Sequence, residues 1–185
     1  MNTVPSPQQA RFLVAYRSCH EGFLRYCSAL AFERMDVEDL VQDVLLSAYK
    51  KFDQLAEPEK LQHYLIRAAR NRAISLRRSA ARRAALTEVH GERLLVRGAT
   101  PEQLADVHLL YRAIHRLPAK QRDAILLFEI SGFSLREIAA SQGTSPAAVK
   151  MRLQRGRAKL RQLLGATPGR SDLDRLLLTA KSIAL

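Results

Sequence analysis

With 185 residues, 47% of them hydrophobic, the chain has material for one ordinary domain or two small ones, each with its own core. Thirty Lys and Arg against 18 Asp and Glu leave a net charge of +12, which excludes an acidic polyanion mimic and makes nucleic acid or a lipid surface the first partner to consider. The absence of Trp and an aromatic content of 6% argue against single-strand binding by many stacked bases, and two cysteines cannot build a disulfide scaffold, so a reducing cytoplasm is expected.

No apolar run approaches the roughly 20 residues of a spanning helix, and Met1 to Pro7 lacks the basic and apolar regions of a signal peptide. Strand signals are nearly missing while helical periodicity recurs, which predicts an all-α fold. A first helix is expected from about Gln8 to Phe32, after Pro5 and Pro7. In the second, Val37, Leu40, Val41, Val44, Leu45, Ala48, Tyr49 and Phe52 form one apolar stripe at spacings of three and four. Asp36 suits its N-cap, and Glu38 and Asp39 lie in the first turn, where the macrodipole favours acids. A loop from Asp53 to Glu59 contains Pro58, and a third helix runs to about Arg83.

From Ala85 to Thr100 the periodicity fades, Gly91 and Gly98 appear, and a linker between two helical domains is expected. The second domain opens with Leu104, Val107, Tyr111 and Ile114 on one helix face. Pro118 suits the first position of the next helix, which carries Ile125, Leu127 and Phe128 and ends at Gly132. Helices from Ser134 to about Ser141 and from Ser145 to about Leu164 follow. After a break at Gly165 to Gly169, Ser171-Asp-Leu-Asp offers a capping box for a short amphipathic helix with Leu173, Leu176, Leu177 and Ala180, which either docks on the second domain or binds a partner.

Residues 135 to 154 satisfy the constrained positions of a helix-turn-helix. Ile138 and small Ala139 lie in the first helix, Gly143 in the turn, and Val149 six positions later, where it packs back on the first helix. Ser145 and Pro146 start the second helix as N-cap and first residue. Val149, Leu153, Gly156, Leu160 and Leu163 form its inward face. Lys150, Arg152, Arg155, Arg157, Lys159 and Arg161 cover the remainder, with no acid between Ser145 and Leu164. A solvated helix face usually mixes signs; a one-signed face at this position suits a helix entering the major groove.

A second acid-free cluster, Arg67, Arg70, Arg72, Arg77, Arg78, Arg82 and Arg83, lies in the third helix, and arginine's planar fork suits phosphate. The helix before it is opposite in character. Asp39 and Asp43 flank Gln42 away from the apolar stripe, Leu46 continues that surface, and no intramolecular need for the acids is evident. An acidic ridge beside a basic helix suggests a protein partner in addition to DNA.

These residues bring a family into view. Asp36-Val-Glu-Asp-Leu-Val-Gln-Asp-Val-Leu-Leu resembles the core-binding helix of region 2 in the extracytoplasmic-function (group 4) sigma factors of bacterial RNA polymerase. Tyr64-Leu-Ile-Arg-Ala-Ala-Arg-Asn-Arg-Ala-Ile is similar to that family's promoter-opening helix, and Leu117-Pro through Leu164 to its region 4. The likeness spans roughly residues 8 to 164, with both motifs in family order. It implies region 2 at 8–84, a linker at 85–100, region 4 at 101–164 and a tail at 165–185. It also implies a subunit that directs core polymerase to promoters, with catalysis left to the polymerase.

The partners so implied are the β′ and β subunits of core, promoter DNA and an anti-sigma factor, often membrane-tethered. No cofactor, metal or small-molecule substrate is expected. Asp39, Gln42, Asp43 and Leu46 would face core. Tyr64, Arg67, Arg70 and Asn71, with the 53–60 loop, would face the −10 element. Lys150, Arg152 and Arg155 would read the −35 duplex. The chain departs from the family pattern at several points. Tyr64 stands for the usual Trp, Ala68 for Ile, Ser75 for an acid, Asp43 for the commoner Glu, and Met151 and Gly156 for Ser and Ala. The loop carries Asp53, Glu57 and Glu59, which would repel phosphate.

Rival readings lack support in the residues. A stand-alone helix-turn-helix regulator would dimerise on a palindrome and has no use for the acidic ridge. A recombinase needs a nucleophile and general base that no arrangement in the first half supplies. A membrane-surface protein needs a bulky apolar face beside its basic stretches. Cys19 and Cys27, eight positions apart on one expected helix, are too far apart to share a metal, and His63, His90, His108 and His115 show no ligand spacing.

Overall fold

Helix follows helix along the chain, and no strand occurs among the described residues. The computed structural model describes residues 6–55, 60–83, 100–165 and 171–182, with the backbone alone at 77, 79–83, 171 and 172. The chain divides into two compact units, Met1–Leu95 and Val96–Leu185. Of the expected linker only Thr100 lies within the described residues, and Glu57 and Glu59 of the loop lie outside them.

The first unit contains α1 (Pro7–Arg17), α2 (His20–Ala31), α3 (Val37–Lys51) with a 3₁₀ turn at Phe52–Gln54, and α4 (Leu61–Arg83). The single helix expected from Gln8 to Phe32 is two. The Ser18 hydroxyl donates to the Ala15 carbonyl (2.8 Å), and Cys19 leaves helical geometry with φ −130°. A serine bonded to its own backbone competes with the helical ladder. The break lets aromatic residues on both sides of it enter one core. Phe12 meets Tyr49 and Phe52 edge-on at 5.5 and 5.3 Å, and Phe23 meets Tyr16 at 6.3 Å.

The apolar stripe of α3 is buried at Val37, Leu40, Val41, Val44 and Ala48, and Asp36 caps the helix by accepting the Asp39 N–H at 3.0 Å. Both α2 and α3 pack against α4. There Leu61, Leu65, Ile66, Ala69 and Ala73 face inward, the alanines allowing close approach.

The second unit begins with α5 (Pro101–His115), capped reciprocally by Thr100 and Gln103. Pro118 is the N-cap of α6 (Ala119–Ile125), one position outside the helix rather than its first residue. The chain continues through a π-helical turn at Leu126–Ile130 and stops at Gly132, whose φ of +75° a side chain would resist. Helices α7 (Leu135–Gln142) and α8 (Pro146–Leu163) form the expected helix-turn-helix, and α9 (Ser171–Ser182) docks on α5, α8 and the π turn. Leu173, Leu176, Leu177 and Ala180 of α9 are all buried. The capping box expected at Ser171 depends on a side chain outside the described ones.

Candidate nucleic-acid interface

Local chemistry fixes the helix-turn-helix at each joint. Ser134 and Glu137 cap α7 reciprocally, with the Ser134 N–H donating to the Glu137 carboxylate at 2.7 Å. Gly143 takes the left-handed conformation at φ +59° and ends α7. The Ser145 hydroxyl accepts the Ala148 N–H at 3.2 Å, and Pro146 is the first residue of α8. Ile138, Ala139 and Val149 are buried where α7 and α8 cross.

Three residues expected to read DNA lie here. Lys150 and Arg155 are exposed, and Arg152 is half-buried. The Arg152 Nη1 donates to Gln142 Oε1 at the end of α7, so this cation is held while Lys150 and Arg155 have no bonded partner among the described residues. Arg157 departs from its expected place on the outward basic face. Its Nε donates to Glu129 Oε1 at 2.7 Å, its Nη2 bonds the same oxygen, and its guanidinium lies 5.6 Å from the centre of the Phe128 ring. Lys181 of α9 reaches the other Glu129 oxygen at 3.3 Å. Glu129, with its side chain 5% exposed, is therefore a buried carboxylate answered by two cations. Burying a charge is costly unless it is paired, so Arg157 is drawn inward. The sequence signal for this was an acid inside the apolar run from Ala124 to Ile130.

In the first unit Asp39, Gln42, Asp43 and Leu46 share the exposed face of α3, and Leu46 is 59% exposed, an open apolar side chain amid polar ones. Asp43 does have an intramolecular partner, contrary to expectation. Arg72 of α4 donates to its Oδ2 from Nε at 2.8 Å and approaches it with Nη2 at 2.6 Å. Arg72 is thereby taken from the phosphate-facing set. On α4, Tyr64, Arg67, Asn71, Ser75 and Arg78 recur at spacings of three and four on the side opposite the buried alanines, with Arg70 half-buried beside them. The Arg77, Arg82 and Arg83 side chains lie outside the described ones. Asp53, expected to repel phosphate, is paired with Arg11 at 2.6 Å.

Both cysteines are free and buried. Burial pushes the Cys19 thiol up to about 11 and the Cys27 thiol further, and it raises Tyr16 to about 12, with the two nearby thiols adding to that shift. Among the described residues no group of His, Cys, Asp and Glu is placed to hold a metal ion.

Comparison with known proteins places this geometry. Residues 15–83 match sigma-70 region 2 and residues 108–160 match sigma-70 region 4. The RNA polymerase sigma-E factor of Streptomyces avermitilis is 32% identical over 150 residues, covering 80% of this chain and 82% of that protein. The chain belongs to the extracytoplasmic-function sigma factors of bacterial RNA polymerase. The sigma factor SigM of Mycobacterium tuberculosis is 30% identical over 152 residues, covering 81% of this chain and 75% of its own. Among solved structures, the sigma factor RpoE of Bartonella quintana, in complex with the anti-sigma factor NepR, is similar at 28% identity and a TM-score of 0.66, covering 85% of this chain and 96% of that one. CnrH in complex with the cytosolic domain of CnrY is similar at 28% identity and a TM-score of 0.60, covering 84% and 88%. As a sigma factor the chain directs core polymerase to specific promoters in transcription initiation. The region 4 match ends at residue 160, so α9 lies beyond it.

Proposed function

We propose that residues 8–84 bind core polymerase and the −10 element, that residues 101–164 bind the −35 element, and that 85–100 link them. Asp39, Gln42 and Leu46 carry the contact with the β′ subunit, with Asp43 shared between that contact and Arg72. Tyr64, Arg67, Arg70 and Asn71 meet the −10 strand, where Tyr64 offers a stacking ring and the arginines offer phosphate-pairing forks. Lys150, Arg152 and Arg155 read the −35 duplex in the major groove. The observation that carries this reading is the acid-free outer face of α8 on a helix-turn-helix whose caps and turn are all in register.

Two further parts of the reading rest on the relatives. RpoE and CnrH are each described in a complex, one with an anti-sigma factor and one with the cytosolic domain of CnrY, which supports control of this chain by an anti-sigma factor, including a membrane-tethered one. The chain works in the cytoplasm, beside the polymerase it directs; no described helix is long and apolar enough to cross a membrane. The chain itself performs no chemistry; bond formation stays with the polymerase.

The test is run-off transcription with purified chain and core polymerase on a library of promoter fragments. Discrete starts that require both components are expected. Duplex binding without core, and no initiation with it, would instead mark a stand-alone DNA-binding regulator.

A further inference from the structure

Of the three cations assigned to the −35 duplex, Arg152 differs from Lys150 and Arg155 in being tethered. Its Nη1 donates to the Oε1 of Gln142, the last residue of α7, and the Gln142 Nε2 reaches the Lys120 carbonyl at 3.5 Å. A line of polar contacts thus runs from the α6 backbone through Gln142 to the guanidinium on α8. Gln142 is itself fixed at its backbone, since Gly143 behind it turns left-handed and closes the helix. Arg152 sits in the second turn of α8, near the N-terminal end from which such helices contact bases.

The chemistry of the guanidinium gives this tether a consequence. Arginine presents five N–H donors in one rigid plane. With Nη1 engaged by Gln142, the Nε and Nη2 edge stays open, and that edge is a two-donor fork. Guanine is the base that offers two adjacent acceptors in the major groove, O6 and N7. A fork whose plane is already set gives up less side-chain freedom on binding than a free one. We propose that Gln142 is a positioning residue for −35 recognition: it holds Arg152 by one edge so that the opposite edge addresses a guanine. This inference rests on the reading of α8 as the −35 helix. It adds a residue outside that helix, one that touches no base.

The experiment measures binding of a randomised −35 library by holoenzyme reconstituted from the full chain and core polymerase. The proteins are wild type, Gln142→Ala, Gln142→Met, Arg152→Ala and the Gln142→Ala/Arg152→Ala double variant. Arg152→Ala is expected to lower preference for guanine at one position by about tenfold. Gln142→Ala should lower preference at that same position by about three- to tenfold and leave the other positions alone. Gln142→Met, which keeps the side-chain length without the acceptor, should behave alike. In the Arg152→Ala background the Gln142 change should add nothing.

The inference is overturned if Gln142→Ala weakens all sequences equally, if its effect persists without Arg152, or if it tightens binding. The first two results would mark Gln142 as a support for α7, and the third would mark its bond as one that withholds Arg152 from DNA. An unchanged preference in Arg152→Ala would instead refute the assignment of Arg152 as a base reader, and the inference with it.

Discussion

Asp43 of α3 and Arg72 of α4 form an ion pair in which both Nε and Nη2 of the arginine converge on one carboxylate oxygen, at 2.8 and 2.6 Å. The pair joins the two surfaces that the sequence sets in opposition, the acidic ridge and the basic helix. It divides the ridge into a shared acid, Asp43, and Asp39, which has no ion pair among the described residues. Both partners of the pair are nearly half exposed, 45% for Asp43 and 44% for Arg72, so it contributes about 0–1 kcal/mol to stability.

The two acids should therefore respond differently to charge reversal. Asp39→Lys is expected to slow association with core polymerase, most strongly at low salt, and to lower stability by about 0.3–1 kcal/mol because it places a cation in the first turn of α3, a cost that no exchange with Arg72 recovers. Asp43→Lys should slow association and also lower stability by about 0.5–1 kcal/mol, because it places a cation against Arg72. The exchange Asp43→Arg/Arg72→Asp should recover stability without recovering association. Full recovery of association by the exchange would mean that core does not sense charge at position 43.

The buried Glu129 makes Arg157 a structural cation. Arg157→Ala leaves the carboxylate with Lys181 alone and should cost about 1–3 kcal/mol in urea unfolding, less than for a sealed pair because the Arg157 side chain is 37% exposed. Lys159→Ala, an exposed neighbour, should stay within about 0.5 kcal/mol. Salt dependence separates the roles further. Lys150→Ala should reduce the slope of log binding constant against log salt by about 1, as loss of one phosphate or base-edge cation does, while Arg157→Ala should leave the slope unchanged. A reduced slope for Arg157→Ala would show that its charge reaches DNA despite Glu129.

Both cysteines should be silent to alkylating reagents in the folded chain. With the Cys19 thiol raised to about 11, only about a thousandth of it is thiolate at pH 8, against about a quarter of an unperturbed thiol. Folding favours the neutral form of both thiols. The stability they lend is complete below about pH 8.5 and is lost as pH rises toward the folded values. Urea midpoints should fall above that pH, and fall less in a Cys19→Ala/Cys27→Ala variant. Rapid labelling of native chain at pH 8 would show that the first unit opens locally at α2.

What the sequence made legible was local. The α3 stripe, the Asp36 cap, the Gly143 turn and the Ser145-Pro146 start are each written within a few residues, and the structure has them in place. The features that were not legible depend on distant partners. Asp43 and Arg72 are 29 residues apart, Arg157 and Glu129 are 28, and Lys181 and Glu129 are 52. Nothing in the periodicity pairs them. The break at Ser18 and Cys19 carries no Gly or Pro; it follows from where Phe12 and Phe23 find the other rings of the core. Gln142 reads as an ordinary polar helix end until Arg152, ten residues on, is folded back against it.

Gly156 tests how closely the recognition helix is held. A Cβ at this position would lie 3.1 Å from Cγ1 and 3.4 Å from Cδ1 of Ile125, which is completely buried in α6. Alanine in place of a mid-helix glycine gains about 1 kcal/mol of helix propensity, and here that gain opposes the displacement of a buried core side chain. Gly156→Ala should therefore shift stability by less than about 1 kcal/mol. Gly156→Val gains less propensity and adds more bulk, and should cost about 1–3 kcal/mol as α8 is pushed from α6. Because α8 carries Lys150, Arg152 and Arg155, −35 binding should fall with it, and should fall at every sequence alike, since the helix is displaced while its side chains stay intact. Ile125→Ala opens the space from the other side, so Gly156→Val should cost less in that background than in the wild-type chain. Urea unfolding of wild type, Gly156→Ala, Gly156→Val, Ile125→Ala and the Gly156→Val/Ile125→Ala double variant, with promoter binding by holoenzyme, decides the matter. Equal costs for Gly156→Val in both backgrounds would mean that α8 does not rest on Ile125.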